Sequence, residues 1–167
     1  MNTEILKRFV AFIVLCLVQA LILNRIHLFG FATPLLYVYF AITFHRGYPK
    51  WAILTWCFLM GLCLDIFSNT PGVAAGSMTL IGLLQPYLLE PFVPRDSADD
   101  MEVSIKTLGW GKFTTFALLI VIIYILVFFS LEAFNFFNWQ QWLMCIGGSS
   151  ALTFVFILAI ENLSGKR

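Results

Sequence analysis

The chain has 167 residues, enough for one compact domain; 60% of them are hydrophobic and 11% charged, with a formal net charge of +1. Soluble domains carry roughly 25% charged residues, and a mean hydropathy of +0.90 would leave large apolar patches exposed to water. The near-neutral balance excludes a broad basic surface for nucleic acid and an acidic tail. The expected fold class is therefore all-α: a polytopic bundle of about six transmembrane helices in a single domain over residues 1–167, with lipid as its solvent.

An apolar stretch of about 20 residues crosses the hydrocarbon core. The first such stretch is residues 5–23, interrupted by Lys7, Arg8 and Gln19. No small-x-small cleavage site follows, and the run ends in Asn24-Arg25, so it reads as a membrane helix rather than a cleaved signal. Gln19, a polar side chain inside that helix, is suited to hydrogen-bond a neighbouring helix. The second span lies within residues 26–44 and contains Gly30 and Pro34. Its clean apolar part, 34–44, is too short to cross alone. That leaves a broken or re-entrant helix, or a short helix with Pro34 in its first turn.

The third span, residues 51–67, runs into the breaker Ser68-Asn69-Thr70-Pro71-Gly72. On a helix Cys57, Gly61, Asp65 and Asn69 recur every four residues and share one face. Gly61 lets a neighbouring helix come close, and Asp65 is then able to accept hydrogen bonds from it. A carboxylate costs about 2.5–3.5 kcal/mol at mid-bilayer, less near the outer end of the span, where Asp65 falls. Two readings stay open: a proton or solute site, or a structural clamp at a helix end and turn.

Residues 72–92 form the fourth span, opening Gly72-Val-Ala-Ala-Gly76 with Ser77 and Thr79 following. This G-x-x-x-G spacing predicts close helix packing inside the protein. Pro86 removes the hydrogen bond to the carbonyl of Gly82 and predicts a kink. Glu90 falls at the cytoplasmic edge, where it reads first as a solvated interfacial residue and second as one that binds a partner or caps local backbone. The loop 93–112 carries Asp96, Asp99, Asp100 and Glu102 beside three basic residues. The spacing of Ser97 and Asp100 resembles a capping box, predicting a helix that runs on into the fifth span, 110–131. The sixth span, 139–160, contains a small-residue face from Gly147 to Ala151 and ends near Glu161, read as solvated.

Placing the N-terminus in the cytoplasm puts Lys7, Arg8, Arg46, Lys50, Arg95, Lys106, Lys112, Lys166 and Arg167 inside and only Arg25 outside. Short translocated loops disfavour Lys and Arg, so the asymmetry orients the chain in the bacterial inner membrane with both termini cytoplasmic. A five-span alternative scrambles this count, so the second segment is expected to cross. Trp51 and Trp110 fall at the cytoplasmic boundary and Trp139 and Trp142 at the outer one, where indole rings favour the interface. Trp56, about a turn and a half inside, is the exception.

The four cysteines, Cys16, Cys57, Cys63 and Cys145, all fall in apolar runs, without metal-ligand spacing, and read as reduced core residues. His27 and His45 fall at opposite faces. There is no G-x-S-x-G, H-E-x-x-H, P-loop or dinucleotide fingerprint, so no catalytic, metal or cofactor-binding residue is expected.

The run Gly61-Leu-Cys-Leu-Asp65-Ile-Phe-Ser68-Asn-Thr-Pro71-Gly72 resembles the signature of the MreD family of rod shape-determining membrane proteins. Gln19 in a first helix and Pro34 opening a short second span suit the same pattern. The chain departs from it at Thr33 and Leu35, where the family often places an asparagine or arginine beside the proline. The resemblance implies a fold similar to the substrate-binding subunits of energy-coupling-factor transporters. It also implies a non-enzymatic scaffold of the cell-elongation machinery, needed for cell shape and lateral peptidoglycan synthesis. Its partners would be chiefly MreC, with MreB, RodA and a penicillin-binding transpeptidase in the same complex, and no cofactor. Gln19, Gly61, Asp65, Ser68, Gly72 and Gly76 would be its structural or partner-binding residues. The competing expectation is a small-solute-binding subunit of a transporter; a lipid-modifying enzyme or flippase ranks last, since paired acids and metal ligands are missing.

Overall fold

The computed structural model describes residues 2–23, 33–94, 97, 101–133 and 139–165. These form an all-helical bundle, with no strand among the described residues: α1 (Asn2–Leu21), α2 (Val38–Ile42), α3 (Lys50–Ser68), α4 (Val73–Leu89), α5 (Ile105–Leu108), α6 (Trp110–Ala133) and α7 (Trp139–Gly165). Long apolar stretches become helices because lipid offers the backbone no hydrogen-bond partner, so each segment must satisfy its own. Consistent with that, large apolar side chains stay exposed on the outer faces, such as Leu6, Ile66, Leu83 and Val155.

The expected spans 51–67, 110–131 and 139–160 correspond closely to α3, α6 and α7. These are the three helices, among the described residues, long and apolar enough to cross a membrane. Six such helices were expected. The first, 5–23, forms as α1, but Glu4, Lys7 and Arg8 shorten its apolar part. The fourth, 72–92, forms as the 17-residue α4, which continues through Pro86 to Leu89 and stops there.

The second expected span is the real departure. Residues 24–32, with Gly30 and His27, lie outside the described residues; within 33–44 only the five residues of α2 are helical. This segment is nonetheless the centre of the core. Leu35, Leu36, Tyr37, Val38, Phe40, Ala41, Ile42 and Phe44 are all buried, enclosed by α1, α3, α4 and α6. Irregular backbone is tolerated at membrane depth only where protein surrounds it. Here side chains supply the partners that a helix would supply for itself. Gln19 donates to the Pro34 carbonyl and accepts from the Leu36 amide, both at 2.9 Å. Ser149 Oγ accepts from the Thr33 amide at 3.1 Å and Thr153 Oγ1 from the Leu35 amide at 3.0 Å. Gln85 Nε2 donates to the Phe44 carbonyl at 2.9 Å. These four polar side chains are all buried.

Small residues bring the helices together selectively. A Cβ on Gly61 would lie 2.5 Å from the Ala74 carbonyl oxygen and from the Ala75 Cα, so α3 and α4 touch backbone to backbone. A Cβ on Gly82 would lie 3.0 Å from Cys57 Sγ. The expected Gly72–Gly76 packing face does not form: Gly76 is exposed, with only Leu131 Cδ1 near, at 3.8 Å from a Cβ placed there. Around Gly147 a Cβ would meet open space, while Ser149 of the 147–151 face bonds the Thr33 amide.

Two further expectations are corrected. The helix before the fifth span starts at Ile105, not near Ser97, because Ser104 and Thr107 form the capping box. Ser97 instead turns back on the Pro94 carbonyl, and Asp100 lies outside the described residues. Gly109, at φ +85°, separates α5 from α6. Trp56, the tryptophan expected away from the boundary, packs against Phe9, Phe12 and Phe40. The cysteines are all free, but only Cys16 and Cys57 are buried.

Candidate functional site

The stretch that carries the family resemblance folds as one junction. α3 ends as Asn69 turns into the left-handed region at φ 57°, its amide bonded to the Asp65 carbonyl, a conformation asparagine tolerates better than most residues. Gly72 follows at φ +84° and is the N-cap of α4. Having no side chain, it leaves the first amides of α4 without a local acceptor. Asp65 supplies one from the neighbouring helix. Its Oδ1 accepts from the Ala74 amide at 2.8 Å and from Thr70 Oγ1 at 3.1 Å; its Oδ2 accepts from the Ala75 amide at 2.9 Å and the Gly72 amide at 3.1 Å. The carboxylate thus meets the positive end of the α4 dipole, where a negative charge is stabilising. Gly61, one turn earlier, is what lets α4 come within that reach. Of the two readings open for Asp65, this geometry is that of the structural clamp.

Of the other expected residues, Ser68 lies beside the junction, half-buried on the wall of a cavity of about 290 Å³. Gln19 and Thr70 line the same cavity, with Glu132 of α6 and Tyr37. At its inner side the Tyr37 hydroxyl is hydrogen-bonded to that of Tyr124, both buried. Gly76 stands apart from this group, on the outer surface of the α3–α4 hairpin. The structure therefore gathers Gln19, Gly61, Asp65, Ser68 and Gly72 toward one end of the bundle and leaves Gly76 out.

At the opposite end is a cluster that sequence reasoning missed. Glu161, expected to be solvated, is 4% exposed. Its Oε2 accepts from the Tyr39 hydroxyl at 2.6 Å and its Oε1 from the Ile105 amide at 3.1 Å, tying α7 to the central segment and to α5. Beside it, Arg8 of α1 stacks its guanidinium over Phe44 and Tyr48, at 4.6 and 4.5 Å from the ring centroids, and donates to His45 Nδ1 at 3.1 Å. Only one sign in the sequence points to either cluster: a polar or charged residue interrupting an apolar helix. Among the described residues no group of three His, Cys, Asp or Glu side chains converges as a metal site would require.

Fold and junction together define an all-helical protein with three described helices suited to cross a membrane, built around a buried, largely non-helical central segment. No protein-family model, curated protein or solved structure matches the chain.

Proposed function

We propose that the protein is a multi-pass inner-membrane scaffold of the cell-elongation machinery, of the MreD kind, that holds partner membrane proteins and catalyses no reaction. The observation carrying this reading is the junction at residues 61–72. The residues responsible for the resemblance are the ones that lock α3 to α4, with Gly61 allowing contact and Asp65 capping the second helix. A rigid helical hairpin whose outer face is apolar is suited to present a fixed surface to other membrane helices. MreC is the partner expected first, with MreB, RodA and a penicillin-binding transpeptidase in the same assembly.

In this reading the chain crosses six times, with both termini in the cytoplasm. Residues 33–44 make the second crossing inside the bundle rather than as a lipid-facing helix. Support comes from the distribution of charge. Lys7, Arg8, Glu102 and Glu161 share one cleft and Arg46, Glu90 and Lys112 another, while Gln19, Ser68, Thr70 and Glu132 line the cavity near the α3–α4 turn. Among the described residues, lysine and arginine thus crowd one end of the helices, as the positive-inside rule requires of a cytoplasmic face.

Depletion in a rod-shaped host tests the reading: rounded cells are expected, together with loss of MreC from the affinity-purified complex when Asp65 is replaced by alanine. Rods of normal shape after depletion overturn it. The cavity of about 290 Å³ favours one other reading, a small-solute-binding subunit of a transporter. Native mass spectrometry of the purified protein separates the two, since a solute-binding subunit retains a stoichiometric small ligand and a scaffold retains its protein partner.

A further inference from the structure

The end of the bundle where lysine and arginine gather also carries a cleft that the scaffold reading leaves unused. It has a volume of about 970 Å³, at the upper end of the roughly 300–1,000 Å³ typical of small-molecule sites. Three separate parts of the chain build it: the turn before α3 contributes Arg46, the end of α4 contributes Tyr87 and Glu90, and the start of α6 contributes Lys112. Lys50 joins from the first turn of α3, its Nζ lying 4.5 Å from the Tyr87 ring centroid and donating to the Tyr87 hydroxyl at 3.3 Å. Among the described residues, three cations therefore gather around one acid, Glu90. Among the described residues, neither Arg46 nor Lys112 is neutralised by an ion pair. Buried Val93 provides an apolar floor.

The indoles on either side give the depth. Trp51, beside Lys50, is 72% exposed, and Trp110, two residues before Lys112, is 55% exposed. Exposed tryptophans next to cations mark the level of lipid headgroups. A cationic cleft at that level, with Pro91, Val93 and Pro94 in its lining, matches a phosphate that carries acyl chains. Arginine in particular holds phosphate oxygens through paired donors.

We infer that this cleft binds the phosphate of an anionic phospholipid from the cytoplasmic leaflet, held by Arg46, Lys50 and Lys112. The inference rests on the membrane placement proposed above. It is tested with the full chain reconstituted in nanodiscs of phosphatidylcholine, with or without phosphatidylglycerol, followed by native mass spectrometry of the lipids that stay bound on release. The wild type should retain phosphatidylglycerol over phosphatidylcholine by about tenfold. Arg46→Gln with Lys112→Gln should abolish that preference, and Lys106→Gln, exposed on α5 outside the cleft, should keep it. All three positions are exposed, so unchanged thermal melting in detergent is expected, and each single variant should show part of the loss. Equal retention of both lipids, or a preference that survives the double substitution, overturns the inference. So does displacement of the lipid by inorganic phosphate at matched concentration, which marks a free-anion site. Failure of the wild type to enter the nanodisc overturns the membrane placement itself and is read separately, from the protein content of the discs.

Discussion

The side-chain amide of Gln19 donates to the carbonyl of Pro34 at 2.9 Å, and its carbonyl accepts the amide of Leu36 at the same distance. One side chain of α1 thus satisfies two backbone groups of the central segment. Gln19→Leu keeps the volume and removes both bonds, leaving a buried carbonyl and a buried amide unpaired. A loss of about 1–3 kcal/mol is expected, read as a lower unfolding midpoint in detergent. Hydrogen exchange at Leu36 should rise at the same time; unchanged exchange there sinks the account.

Asp65 bonds three amides and one hydroxyl at the start of α4. Replacing it with alanine strands those donors at a helix end and should cost about 2–3 kcal/mol. Asp65→Asn keeps one acceptor oxygen and should cost roughly half as much. Equal stability of the two variants would show that the charge and second oxygen contribute nothing.

The two expected packing glycines should now behave oppositely. Gly61→Ala forces a methyl to within 2.5 Å of the α4 backbone and should cost about 1–3 kcal/mol or more through overpacking. At Gly76 the added methyl meets only Leu131, at 3.8 Å, so Gly76→Ala should stay within about 0.5 kcal/mol of wild type. Thermal melting of the pair in one detergent decides it.

Glu161 joins α7 to Tyr39 and to the first amide of α5. Glu161→Leu should free the Ile105 amide, seen as faster exchange there, and lower stability by about 2 kcal/mol. Glu161→Gln keeps an acceptor for Ile105 and should protect that amide better than the leucine variant. Indistinguishable exchange in the two variants would mean that Glu161 does not hold α5.

Much of this architecture is legible in the chain itself. Continuous hydropathy sets out α3, α6 and α7 to within a few residues, because in lipid an apolar run has no alternative to satisfying its own backbone. The αL turn, the close contact at Gly61 and the acceptor role of Asp65 follow from local rules: a breaker sequence, a residue without a side chain, and a carboxylate one helical turn away. Gly76 shows where such rules stop, since small-residue spacing states that a close approach is allowed and not that a neighbour is present.

What hydropathy alone determined was the all-helical class, the position of the long helices and the clustering of charge. Tertiary structure decided the fate of residues 33–44. Read locally they are an apolar stretch containing a proline, equally suited to a short span or a broken one. They remain mostly non-helical because Gln19, Gln85, Ser149 and Thr153, dispersed over three other helices, converge on their backbone. The same holds for Glu161, whose partners Tyr39 and Ile105 lie more than fifty residues away in sequence. A polar side chain in an apolar helix signals that some partner is needed; only the folded chain determines which backbone group that partner is.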